Sequence, residues 1–171
     1  AWDVSEKKNG SVMAWERQGV LHICGKGFIE APEDSSYLFA GYENLVSVNW
    51  GEHADEGPCF ITGKVKKMDG MFQGCSQLYS IDISKFDTSN VIDMAQMFSN
   101  CKTLGNFTLG DKFDTSNVIH MCGMFSEYEM PENFTLGDKF DTSNVKSMSS
   151  MFFACEMPDG FTLGDKFDTS N

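Results

Sequence analysis

The sequence predicts an α/β repeat solenoid, in which short parallel strands and short helices stack behind an N-terminal β-hairpin cap. Three observations predict it. The string FDTSN begins at Phe86, Phe113, Phe140 and Phe167, always 27 residues apart, and a period of roughly 20 to 50 residues marks solenoids and propellers. Within each period one half carries apolar residues at helical spacing, and the other alternates apolar with polar. The chain of 171 residues holds 15 Phe and 11 Met, a bias that recurrence of the same columns explains.

The N-terminal segment reads as two strands. Trp2, Ser5 and Ser11 to Trp15 form the first, with Asn9-Gly10 as a turn signal before it. Gly19 to Gly27 form the second, and the polar stretch Glu16 to Gly19 joins them. A stacked sheet needs its first rung covered against edge pairing. Residues 1–30 are therefore expected to be the cap, and residues 31–171 a right-handed solenoid of about five rungs.

The first rung is degenerate. Leu38 to Tyr42 followed by Leu45 to Trp50 align with Met71 to Cys75 followed by Leu78 to Ile83. An acidic insertion from Gly51 to Pro58 comes next. Phe60 then stands 26 residues before Phe86 and keeps the Phe, Thr and Val of the motif as Phe60, Thr62 and Val65. Later copies gain one residue, so that Asp82-Ile83-Ser84-Lys85 becomes Thr108-Leu109-Gly110-Asp111-Lys112.

In the regular copies the first half reads V-x-x-M-x-x-M-F, as in Val65, Met68, Met71, Phe72 and in Val91, Met94, Met97, Phe98. That stripe predicts a helix of about two turns, some 12 Å long, with Thr-Ser-Asn as its N-cap. The second half places Asp82, Thr108, Thr135 and Thr162 between apolar neighbours such as Phe107 and Leu109. Period two predicts a short strand with one buried face. Neither half buries its apolar side without the copies above and below it.

Charge excludes some functions. With 25 acidic and 13 basic residues the chain carries a net charge of -12, which repels phosphate and argues against a nucleic-acid partner. No apolar run approaches the roughly 18 residues of a membrane span, so no membrane insertion is expected.

The unit FDTSNV-x-x-M-x-x-MF-x-x-C, joined to an L-x-x-I-x-I-like strand, resembles the BspA-like leucine-rich-repeat surface proteins of bacteria, which carry a surface-protein repeat of about 26 residues. The opening WDVS…NGSVMAW…GVLHICGKG is similar to the hairpin that often starts them. The resemblance covers nearly the whole chain. It implies a leucine-rich-repeat-like solenoid, extracellular on the bacterial surface or secreted, that binds a host or matrix protein. There are departures. Ile61, Gly63 and Lys64 erode the first FDTSN copy, Tyr128 replaces the column Cys, and Pro131 and Pro158 replace the Leu that opens the strand.

Candidate sites follow from the columns. The outward strand positions Asp82, Asn106, Thr108, Asn133, Thr135 and Thr162 form a regular polar face, the usual recognition surface of a solenoid. A rank of Thr also suits ice binding, but no T-x-T pair repeats. The column Asp87, Asp114, Asp141, Asp168 and the column Asn90, Asn117, Asn144 leave two readings open: a calcium ladder, or side chains bonded to the backbone of their own turns. A second acidic column, Asp111, Asp138 and Asp165, lies beside Lys112, Lys139 and Lys166 as a solvated charge ladder.

Cys75, Cys101 and Cys155 share a slot with Tyr42 and Tyr128, which suits a small buried apolar residue rather than a ligand. Six cysteines without regular pairing define no disulfide framework. The pairs His22/Cys24 and His120/Cys122 lack the second pair of a metal finger. Glu52 to Glu56 is a polar loop containing His53. No catalytic motif assembles. The expectation is therefore a non-enzymatic binding module with no cofactor. A structural spacer and a calcium-stabilised array are the alternatives. The chain is further expected to be truncated inside a repeat, leaving an uncapped last rung open to end-to-end self-association.

Overall fold

The computed structural model describes residues 2–3, 12–25, 27–53, 57–58, 60–101, 105 and 107–170. Ser5, Asn9, Gly10, Ser11 and Lys26 of the expected cap, and Cys59, Asn106 and the 54–56 loop, lie outside them. Nine short strands are found among the described residues: β1 Trp2–Asp3, β2 Val12–Arg17, β3 Val20–Gly25, β4 Ile29–Glu30, β5 Ser47–Asn49, β6 Glu52–His53, β7 Gly57–Pro58, β8 Phe60–Ile61 and β9 Ser80–Ile81.

The hairpin forms where the sequence places it. Val12–Arg17 pairs antiparallel with Val20–Gly25 through a two-residue turn. Gln18 and Gly19 both take positive φ, at 55° and 80°, as the favoured hairpin turn requires. Trp2–Asp3 adds a third antiparallel strand. The second hairpin strand then starts a parallel series: Leu21 pairs with Val48, and Val48 with Ile81. All three side chains are buried.

The expected helices are absent among the described residues: the V-x-x-M-x-x-M-F segments run as successive turns. Two left-handed residues in each rung interrupt the helix, one at Tyr37, Gly70, Gln96, Gly123 and Ser150, the other at Gly41, Gly74, Asn100, Glu127 and Ala154. In a helix each N–H would bond four residues back in its own segment. Here alternate N–H groups leave the rung instead. Met68, Gly70, Phe72 and Gly74 donate to the carbonyls of Asp93, Ala95, Met97 and Ser99 in the next rung. Parallel bridges connect Asp34, Lys67, Asp93, His120 and Ser147 across five rungs. The most continuous ladder thus lies where helices were expected.

The strand side is shorter than expected. Hydrogen-bonded strands end at Ser80–Ile81. Residues 107–109 and 134–136 keep the alternation, with Phe107, Leu109, Phe134 and Leu136 buried and Thr108 and Thr135 exposed. Rungs 4 and 5 instead pair at Glu129 and Glu156. Pro131 and Pro158 follow shortly after, and proline has no N–H to extend a ladder.

The FDTSN motif clasps one rung to the next. Its Phe is core. Its Asp Oδ1 accepts from the Ser N–H two residues on, at 2.9 Å for Asp114 and Ser116. Its Thr is fully buried at Thr88, Thr115 and Thr142: Thr115 Oγ1 donates to the Asp141 carbonyl at 2.8 Å and accepts from the Asp141 N–H at 2.7 Å. Its Asn reaches the preceding rung, as Asn117 Nδ2 donates to the Ser89 carbonyl at 2.8 Å. The expectation that Asp and Asn both bond within their own turns holds for Asp and fails for Asn, whose longer amide spans the gap between rungs.

The Thr clasp gives an expected result. Thr115→Val keeps the shape, removes two buried hydrogen bonds and strands the Asp141 N–H, a loss of about 2–4 kcal/mol. Thr115→Ser keeps the hydroxyl and loses one methyl, about 1 kcal/mol. Denaturant midpoints compare them; equal losses would mean that the hydroxyl carries none of the effect.

Between ladder and strand side lies one core of Met and Phe. Phe39, Phe72, Phe98, Phe125 and Phe152 stack in a file, with ring centroids 5.4 to 5.8 Å apart. Phe107, Phe134 and Phe161 form a second file.

Candidate functional site

The outward face begins on the hairpin. The inward set Leu21, Val48 and Ile81 fixes the opposite parity for Val20, His22, Ser47, Asn49, Ser80 and Asp82, because successive strand residues point to opposite faces. Trp15 pairs with His22 across the hairpin, and their rings stack with centroids 5.0 Å apart. An aromatic step therefore stands at one end of the polar face. It is missed when the sequence columns are followed only through the repeats; the hairpin's cross-strand register is the signal that finds it.

Asp82, Thr108, Asn133, Thr135 and Thr162 are all exposed, and Asn106 lies outside the described residues. The first three line one open groove of about 580 Å³ together with Ser80, Gly105 and Glu132. Thr135 and Thr162 line a separate one of about 460 Å³. The five described positions thus divide between surface depressions rather than forming one flat strip. A neighbouring groove of about 740 Å³ shares Ser80 and Asp82 and reaches Asn49, Trp50 and Lys85.

Two groove features escaped the column reading. Tyr79 is 63% exposed, and a side chain at Gly105 would meet its ring at 2.6 Å. The Tyr79 ring therefore covers Gly105, while Tyr79 itself is not among the residues that line the groove. Glu132 brings a second carboxylate to the groove. Asp82 Oδ1 accepts from the Ser84 N–H at 2.9 Å, which fixes that carboxyl.

The Asp column lies elsewhere. The Ser89 hydroxyl, with smaller contributions from the Ser89 N–H, Lys112 and Lys139, holds the Asp87 carboxyl below its ordinary value. Asp114 is lowered in the same way by Ser116. Among the described residues no three His, Cys, Asp or Glu side chains converge as a metal cluster.

The cysteines of the repeat column are unpaired thiols. Cys75 Sγ donates to the Phe39 carbonyl and Cys101 Sγ to the Phe72 carbonyl, each at 3.1 Å. Burial pushes the Cys75 thiol up to about 11 and the Cys101 thiol further in the same direction. Tyr128 is buried in the same slot, whereas Tyr42 in the degenerate rung is 49% exposed. Cys122 differs, because the hydroxyls of Ser147 and Ser149 hold its thiol below the ordinary value. His120 takes its place in the bridge ladder.

No curated protein and no solved structure matched the chain. Residues 55–162 match the family described as Mycoplasma protein of unknown function, DUF285. That span covers more than half of the chain and contains the clasped rungs just described, and so the chain belongs to the DUF285 family.

Proposed function

We propose that the stack is a leucine-rich-repeat-like solenoid serving as a non-enzymatic binding module at a bacterial cell surface, with a host or matrix protein as its partner. The observation that carries this reading is the gathering of Asp82, Thr108 and Asn133 around one groove on the outward face. Binding to a preformed surface loses little ordering entropy, and the rung-to-rung ladder and the Phe files hold this face in place. The reading is one of recognition: exposed hydroxyl, amide and carboxylate groups arranged to pair with a partner's polar atoms.

The spacer reading draws on the same ladder, since continuous bonding between rungs also suits a rod that displays another domain. Binding to a panel of purified matrix proteins separates the two. Thr108→Ala combined with Thr135→Ala is expected to weaken capture about tenfold while leaving the circular dichroism spectrum and melting midpoint unchanged, because both hydroxyls are exposed. Unchanged capture by that variant would favour the spacer.

A further inference from the structure

We propose that Asn133 is an acceptor for N-linked glycosylation, taking a sugar on the outward face from a diphosphate-activated glycosyl donor. This modification goes beyond the recognition reading and does not depend on it.

Asn-x-Ser/Thr, with x other than proline, is the acceptor tripeptide of this chemistry. It occurs at Asn106-Phe107-Thr108 and again 27 residues later at Asn133-Phe134-Thr135. Asn106, and the further tripeptide Asn9-Gly10-Ser11, lie outside the described residues. The next rung has Gly160 where these two have Asn.

At residues 133–135 the fold supplies what the tripeptide alone does not. Phe134 is 3% exposed, and anchoring it in the core turns Asn133 and Thr135 outward together, both exposed. The segment belongs to no strand, so no ladder stands between its backbone and a transferase. The Asn133 amide borders an open groove of about 580 Å³ and is bonded to nothing among the described residues. Other exposed amides are committed: Asn90, Asn117 and Asn144 each donate to a carbonyl of the preceding rung. None of those three has Ser or Thr two residues on. Motif, exposure and an uncommitted amide thus coincide at Asn133.

In the transfer, Asn133 Nδ2 attacks the anomeric carbon of the donor. A C–N bond forms as the bond from that carbon to the diphosphate oxygen breaks. The diphosphate leaves with the electron pair, and one of the two amide protons passes to a base of the transferase. A nucleoside-diphosphate hexose and a lipid-linked glycosyl pyrophosphate share this leaving group. The first delivers a single hexose and the second an oligosaccharide.

The test is peptide mapping by mass spectrometry of the whole chain isolated from the cells that make it, and of variants expressed in those cells. A sugar is expected on Asn133 and none on Asn117 or Asn144. Its mass identifies the donor: one hexose for the nucleotide, a longer glycan for the lipid. Asn133→Gln and Thr135→Ala should each lose it, whereas Thr135→Ser should keep it. All three variants should melt with the unchanged chain, because both side chains are exposed. A bare Asn133 in the unchanged chain, a sugar there that survives Thr135→Ala, or equal occupancy of Asn117 and Asn144 would overturn the proposal. Each of these results would leave the recognition face standing, since capture by that face requires no sugar.

Discussion

Phe98→Ala is expected to lower the unfolding free energy by about 3–5 kcal/mol. Phe98 is fully buried. Its ring stacks between Phe72 at 5.7 Å and Phe125 at 5.8 Å, and meets Phe107 edge-on at 5.1 Å. Removing it opens a cavity in the middle of the file and ends aromatic contacts on three sides, each worth about 0.5–1.5 kcal/mol beyond area burial. Phe152 holds the same column position in the last described rung but is only partly buried. Phe152→Ala should therefore cost distinctly less. Guanidinium unfolding of both variants checks this; equal midpoints would contradict a shared interior built by stacking.

Gly110→Ala should cost about 3–5 kcal/mol, whereas Gly137→Ala, one rung on, should cost about 1–2 kcal/mol. The two glycines share nearly the same left-handed backbone, with φ of 81° and 79°. A Cβ at Gly110 would lie 2.5 Å from Ser84 Cα and 2.6 Å from its carbonyl oxygen, whereas one at Gly137 meets nothing within 4 Å. The left-handed conformation penalises both variants, and the backbone collision penalises only the first. The collision has a sequence origin. Gly110 is where the repeat grows from 26 to 27 residues, so its longer loop lies directly on the shorter loop at Ser84. Thermal melts of the two variants give the comparison, and equal shifts would show that the loops do not bear on one another.

The sequence shows the columns more clearly than the backbone that carries them. The period, the hairpin, the shared Met and Phe interior and the outward parity of Asp82 and Thr108 all follow from spacing, because burial depends on which residues face inward. The helices do not follow. A stripe at i, i+3, i+6 and i+7 is buried equally well by a chain of turns, and the left-handed positions that break the helix hold Tyr37, Gln96, Asn100, Glu127, Ser150 and Ala154, more often than glycine. Such residues give no local sign of positive φ. They are held there by N–H groups bonded to the next rung, such as Gln96 to Cys122 and Glu127 to Phe153. The same cause hid the role of Asn117 and half of the groove. Asn117 acts on the preceding rung, and Glu132 lines the same depression as Asp82 from a different rung. Contacts between copies are invisible to a reading made within one copy.

The Thr and Asn clasps also bear on how the molecule would respond to tension. Each fastening joins only adjacent repeats, so a pull on the two ends opens them in series, starting from the weakest, rather than breaking the whole at once. Every 27-residue repeat released this way pays out about 90 Å of slack chain. A module anchored at one end and attached at the other would thereby lengthen in steps and absorb shear before its grip is lost.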